Sequence, residues 1–171
     1  MTRNSRTVFV TGAAHGIGLA AAILFAGDGD RVYLYDRDEE RLPAAVEAVA
    51  ARNGGAARGS AADVRSRESL RAALAECESE LGPVDVCLNH AGIGRSTHIL
   101  ELGVDEWDEV LSINLTGVFR VAQEVARLMA PRRAGVIVNM SSSGAIATEP
   151  GPRPLRGVEG RRSRPDAGDG P

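Results

Sequence analysis

The chain has 171 residues, a net charge of −3 and 43% hydrophobic residues, values typical of one globular domain. All twenty basic residues are arginines, so mechanisms that need a lysine, such as Schiff-base chemistry, are excluded. The near-neutral charge predicts no binding to nucleic acid. No apolar stretch reaches the ~18–20 residues of a membrane span. The two tyrosines, Tyr33 and Tyr35, lie in one apolar run.

Cys77 and Cys87 fall in a helical and a strand-like segment. We interpret them as buried structural thiols, with a redox pair as the alternative. The polar N-terminus lacks the apolar region of a signal peptide, so we expect a cytoplasmic protein.

Short apolar runs alternate with helical segments up to Met140. The predicted strands are Thr7–Thr11, Arg31–Tyr35, Ala56–Ala62, Val84–Leu88 and Gly135–Met140. The predicted helices are Gly16–Gly27, Asp38–Asn53 with Asp38 as N-cap, Ser66–Glu80 and Asp105–Met129. Apolar strands separated by helices predict an α/β fold, with a doubly wound parallel sheet covered on both faces.

Residues 11–18 (TGAAHGIG) join the first predicted strand to the first helix. Gly12 permits a tight turn, Gly16 lets the backbone approach a diphosphate, and Gly18 allows close packing of helix and strand. The helix N-terminus, which includes Ile17, offers free N–H groups and a positive dipole end to phosphates. His15 is either an exposed loop residue or, when protonated, a further phosphate contact.

Asp36 follows the second predicted strand, eighteen residues after Gly18. A carboxylate there can bind the ribose hydroxyls of a dinucleotide and would repel a 2′-phosphate, which favours NAD over NADP. The alternative is an aspartate that only caps a helix or turn. Arg37 comes next and could partly accommodate a phosphate.

With these residues in view, the chain resembles the short-chain dehydrogenase/reductase family over about residues 6–151. Five motifs carry the resemblance in order: residues 11–18, Asp63 with Val64, residues 89–92 (NHAG), Trp107 with Asn114 and Gly117, and Val138 leading to Ser142. The family implies a Rossmann-type sheet in strand order 3-2-1-4-5. It also implies NAD(P)-dependent alcohol oxidation or carbonyl reduction of a small molecule.

The resemblance also implies roles for single residues. Asp63 and Val64 would hold the adenine, although Asp63 is alternatively a capping residue. Asn89, Ala91 and Gly92 belong to the motif that borders the cofactor; Asn89 either ties loops together or touches the ribose. His90 replaces the second asparagine of this motif, and we assign it to loop packing.

Two residues would carry the chemistry. Asn114 matches the family's proton-relay asparagine, with a structural hydrogen bond as its alternative. Ser142 matches the catalytic serine, although a serine-rich turn in which none acts would look the same. No combination of residues indicates a metal site.

After Ser142, the sequence no longer matches the family pattern. Its active-site tyrosine and lysine would stand thirteen and seventeen residues after Ser142, where this chain has Leu155 and Glu159. Loss of a general acid/base costs ~10²–10⁴-fold in rate, so we expect this chain to be inactive. The composition also changes after Gly151, since thirteen of the last twenty residues are Pro, Arg or Gly. We therefore divide the chain into a core at 1–151 and a disordered tail at 152–171.

One hypothesis for the origin of this tail is a shifted reading frame. With Pro, Arg, Leu, Gly, Val and Glu written as CCN, CGN, CTN, GGN, GTN and GAR, moving one nucleotide forward from Pro152 allows L-A-P-Y-A-A-S-K-A. Its tyrosine falls in register with Leu155 and its lysine with Glu159. The triplet at the lysine can encode only lysine or arginine, whereas the triplet at the tyrosine also allows Ser, Phe or Cys. The competing interpretation is a genuine short protein with a divergent tail.

The sequence thus predicts an NAD-binding short-chain oxidoreductase, truncated or frameshifted after about residue 151. The alternative is a non-catalytic nucleotide-binding or interaction module; a methyltransferase leaves the later motifs unexplained. Family members often form homo-oligomers, which we doubt for this chain. We expect no membrane partner.

Overall fold

The computed structural model describes residues 5–52, 54 and 56–142. Its strands are β1 (Thr7–Thr11), β2 (Arg31–Asp36), β3 (Ala57–Ala61), β4 (Val84–Asn89) and β5 (Val136–Asn139). Its α-helices are α1 (Gly16–Gly27), α2 (Leu42–Ala50), α3 (Arg67–Leu81), α4 (Val104–Leu111) and α5 (Val118–Met129). All strand pairs are parallel, and the order β3-β2-β1-β4-β5 confirms the predicted doubly wound topology.

Side chains alternate across the buried central strand β1, so that both faces of the sheet carry a core. Val8 and Val10 pack with apolar residues of α1 and α2, whereas Phe9 packs with residues of α3 and α5. The Phe9 ring stacks on Tyr33, with centroids 5.4 Å apart. Burial raises the pKa of Tyr33 well above its usual value and that of Tyr35 to about 12. The two tyrosines are therefore core residues whose phenols stay protonated.

The helix predicted over Asp38–Asn53 is shorter than expected. It begins at Leu42, and Asp38 caps the turn before it, because the Asp38 carboxylate accepts a hydrogen bond from the Arg41 N–H at 3.0 Å. Pro43 lies in the first turn of the helix, where its missing N–H costs no hydrogen bond. A proline at this position explains the late start.

The helix predicted over Asp105–Met129 is instead two α-helices joined by a π-turn at Ser112–Gly117. The carbonyl of Val118 accepts a hydrogen bond from the Asn89 side chain at 2.9 Å. This bond connects the first residue of α5, directly after the π-turn, to the end of β4.

Cys77 and Cys87 are free thiols in the same buried apolar cluster, as predicted. Burial raises the pKa of each thiol to about 12, so both stay protonated.

Within the described ranges, no helix is long and apolar enough to cross a bilayer. The same ranges hold no group of three or more His, Cys, Asp or Glu suited to a metal ion. The predicted disordered tail at 152–171 lies outside the described residues.

The start of α1 packs directly on the turn that precedes it. A Cβ atom on Gly18 would lie 1.9 Å from the carbonyl oxygen of Gly12, so only glycine fits there. Gly27, at the other end of α1, has no atom within 4 Å of its Cβ position.

We expect Gly18→Ala to lower the free energy of unfolding by at least about 2 kcal/mol, because the methyl group must displace backbone. Gly27→Ala adds the same methyl group to the same helix in open space and is the matched control. Its stability should stay unchanged or rise slightly. Urea unfolding followed by circular dichroism measures both; equal stabilities of the two variants would contradict this packing.

Candidate functional site

A cavity of about 270 Å³ opens at the carboxyl edge of the sheet. It is bordered by the end of β2, by the segments that follow β1, β2, β3 and β4, and by one residue of the π-turn. The lining residues are Gly12, His15, Tyr35, Asp36, Arg37, Ala62, Asp63, Val64, His90, Ala91, Gly92, Ile93, Gly94, Arg95 and Ile113. In the sheet, β1 lies between β2 on one side and β4 on the other, and the chain runs from β1 to β2. Ligands of open α/β sheets bind at such a switch point.

The turn after β1 forms the floor of the cavity. Gly12 has a φ of +68° and Gly16 one of +59°, conformations that other residues rarely adopt. A Cβ atom on Gly12 would lie 2.9 Å from the Cα of Ala91, so the turn touches the segment after β4. His15 occupies the N-cap position of α1 without a side-chain capping bond. The first N–H groups of α1 thus have no side-chain cap.

The other predicted residues of this turn lie beside the cavity. Gly16 and Gly18 are not among its lining residues, although Gly18 is buried against Gly12. Ile17 is 65% exposed at the start of α1. Their contribution is to the shape of the turn and the position of the helix N-terminus.

Asp36 is buried at the end of β2, and each of its carboxylate oxygens holds a loop. One accepts from the Ala14 N–H at 2.9 Å and the other from the Asp38 N–H at 3.0 Å. These two hydrogen bonds are of the kind that a turn-capping aspartate makes. A carboxylate has about four lone-pair positions, however, so it can accept further hydroxyl donors from the cavity. Arg37 beside it is exposed and lines the cavity.

Asp63 borders the cavity beyond β3 and is paired with Arg65. The nearest oxygen and guanidinium nitrogen are 2.7 Å apart. Burial acts to raise the pKa of Asp63, but the hydrogen bonds from Arg65 outweigh it and hold this pKa below its usual value. Val64 is buried and close to the π-turn, since a Cβ atom on Gly117 would lie 2.7 Å from the Val64 Cγ2. The Asp63–Val64 pair is therefore charged on one side and apolar on the other.

Asn89 lies behind the cavity rather than on its wall. Its amide nitrogen donates to the Val118 carbonyl and, at 3.0 Å, to the Asn139 side chain. Its oxygen accepts from the Thr11 hydroxyl at 3.2 Å. The same Thr11 oxygen accepts from the N–H groups of His90 and Ala91. Asn89 thus ties β1, β4, β5 and α5 together, as one of its two interpretations predicts.

Asn114, in the π-turn, holds the next part of the cavity wall. Its oxygen accepts from the Ile93 N–H at 2.8 Å, and its nitrogen donates to the Ile93 carbonyl at 2.7 Å. Gly92 lies against this amide, because a Cβ atom on Gly92 would lie 3.3 Å from the side-chain oxygen of Asn114. The side chain therefore makes the structural bond that was its alternative role.

Ser142 is half-buried and follows β5 at the end of the described residues. It does not line the cavity. Leu155 and Glu159, where the family has tyrosine and lysine, lie outside the described residues.

Sequence reasoning missed several lining residues, mainly along the segment after β4. His90, Ile93, Gly94 and Arg95 line the cavity because the Asn114 amide fixes the path of this segment. An irregular segment has no periodicity that would reveal this. Arg95 is further held by an ion pair with Glu109 of α4.

The fold and this cavity place the protein in the class of Rossmann-type α/β domains with a glycine-rich turn after the first strand. The family described as "short chain dehydrogenase" matches residues 6–152, and the chain belongs to this family.

Its relatives include the D-threitol dehydrogenase of Mycolicibacterium smegmatis, 39% identical over 145 residues, and the short-chain reductase NovJ of Streptomyces niveus, 42% identical over 136 residues. These alignments cover 83% and 80% of the chain, but only 54% and 52% of the relatives. The chain therefore spans little more than half the length of these two proteins.

Solved structures give the same result. NAD+-bound xylitol dehydrogenase superimposes with a TM-score of 0.83 at 31% identity, over 91% of this chain and 60% of that one. An actinorhodin polyketide ketoreductase with NADPH gives a TM-score of 0.84 at 35% identity, over 92% and 60%.

Proposed function

We propose that the cavity binds NAD(P), as the cofactor site of an oxidoreductase that moves hydride between nicotinamide and a small alcohol or carbonyl compound. The observation that carries this proposal is the convergence of the glycine turn, Asp36 and Asp63 on one cavity. The residues fit the cofactor, since Gly12 brings backbone to the cavity floor and α1 presents uncapped N–H groups for a diphosphate. Bound NAD(P) would supply the hydride carrier; the protein's part is to bind and orient it.

Within this site, we assign adenine to the Asp63–Val64 pair and the ribose to Asp36. Asp63 accepts hydrogen bonds, and the buried Val64 supplies apolar contact. Ala91 and Gly92 line the wall beside the turn. We infer these roles from the positions of the residues around the cavity.

The balance of charge at Asp36 supports NAD over NADP. Its carboxylate is buried and already fixed by two N–H donors, so it cannot turn away from a 2′-phosphate. Arg37 is exposed and could counter only part of this repulsion.

We therefore expect NAD+ to bind about tenfold or more tightly than NADP+. Asp36→Asn should shrink this ratio, because the neutral amide no longer repels a phosphate. It should also destabilise the fold by about 1–3 kcal/mol, since one N–H donor loses its acceptor. Isothermal titration calorimetry and thermal melting measure the two effects.

The matched control is Asp38→Asn, which removes the same charge two residues away at a position that does not line the cavity. It should leave the ratio unchanged. Equal affinity of the native chain for NAD+ and NADP+ would refute the preference.

Catalysis is a separate proposal. Leu155 and Glu159 replace the tyrosine that supplies the acid/base proton and the lysine that lowers its pKa in this family. The two tyrosines of the chain are committed to the core. Ser142 and Asn114 remain at their family positions, but the Asn114 amide is already occupied by Ile93. We infer that this chain binds the cofactor without turnover, as a non-catalytic nucleotide-binding module would.

We also propose that residues 152–171 derive from a shifted reading frame. The family match ends at residue 152, where the composition changes. We also propose that the protein is cytoplasmic, which agrees with the free thiols of Cys77 and Cys87.

Two measurements test the inactive chain and its origin. NADH fluorescence should rise saturably with the 171-residue protein, whereas no alcohol or carbonyl compound should change the NADH concentration. Family-like turnover would disprove the inactivity. Sequencing the gene across codons 148–171 decides the origin of the tail: a TAC triplet and an open shifted frame are expected, and an early stop there would exclude the frameshift.

A further inference from the structure

Two of the chain's three histidines, His15 and His90, line the cavity. His15 follows the glycine turn after β1, and His90 is the first residue after β4. The two segments touch, because a Cβ atom on Gly12 would lie 2.9 Å from the Cα of Ala91. The histidines therefore border the same end of the cavity, where the N-terminus of α1 begins.

Neither histidine is needed by the fold through its imidazole. His15 makes no side-chain capping bond to α1, and its ring is exposed. His90 contributes to loop packing through its backbone, since its N–H donates to the Thr11 hydroxyl oxygen at 3.1 Å. The His90 ring is half-buried on the cavity wall.

The two carboxylates that line the cavity each already have hydrogen-bond donors besides these histidines. Burial lowers the pKa of His90, the nearby His15 lowers it further, and Asp36 acts in the opposite direction. Asp36 is held by Ala14 and Asp38, and Asp63 is paired with Arg65. The cations on the cavity wall are Arg37 and Arg95, and Arg95 is paired with Glu109. A phosphate anion bound beside the His90 ring would favour its protonated form.

We propose that His15 and His90, when protonated, bind the diphosphate of the dinucleotide between them and make its affinity depend on pH. This proposal rests on the cofactor site described above and adds His90 to it as a binding residue. Without ligand, the buried His90 stays neutral near pH 7. Bound phosphate stabilises the charged rings, so the affinity is greatest at low pH and falls as the pH rises.

The test is isothermal titration calorimetry of the 171-residue chain with NAD+ between about pH 5 and 8 at constant ionic strength. NAD+ suits this range because its diphosphate carries no titrating group there. We expect the affinity to fall by about tenfold or more across the range. We also expect net proton uptake on binding near pH 7, seen as a dependence of the heat on the buffer. Circular dichroism at each pH confirms that the protein remains folded.

The variants His15→Asn and His90→Asn should each flatten the pH profile, and the double variant should abolish it. His98→Asn is the matched control: His98 is exposed, does not line the cavity, and accepts from the Leu100 N–H. It should keep the native profile. Adenosine, which lacks the diphosphate, should bind with an affinity independent of pH.

The outcomes separate the two proposals. NAD+ binding with a flat profile, or a profile that persists in the double variant, would overturn the role of the histidines and leave the cofactor site standing. Failure of NAD+ to bind at any pH in the folded chain would overturn both.

Discussion

The rest of the site depends on the close backbone packing of the turn after β1. Gly18 lies against the Gly12 carbonyl, and Gly12 lies against Ala91, with no room for a methyl group at either glycine. These contacts bring the N-terminus of α1, the end of β2 and the segment after β4 around one cavity. Hydrophobic burial on both faces of the sheet supplies stability, but backbone contact at this turn gives the cavity its floor.

Two asparagine side chains that do not line the cavity support this arrangement through hydrogen bonds. Asn89 connects β1, β4, β5 and α5 through its side chain, and Asn114 clamps the Ile93 backbone. Asn114 lies within the π-turn, and the carbonyl that Asn89 binds belongs to Val118, the first residue of α5 after this turn. Residues that resemble catalytic or cofactor-binding positions in sequence thus act first as supports for the cavity wall.

The parallel strands could be predicted from their apolar runs and the glycine turn from its specific spacing, whereas the strand order came from the family resemblance. The start of α2 could not, since the effect of Pro43 competes with a good capping residue at Asp38. The wall formed by Ile93 to Arg95 was also missed. Its path depends on a long-range bond to Asn114, which no local pattern encodes. His90 was assigned to packing, which describes its backbone but not its ring on the cavity wall.

The central claim is that this chain retains a formed cofactor cavity. Titration of the isotopically labelled chain with NAD+, followed by amide NMR, tests it most directly. We expect saturable shifts at residues 12–18, 36–37, 63–64 and 90–95, with no shifts on the outward faces of α3 and α5. Shifts confined to those helices, or no saturable shifts in a folded chain, would contradict it.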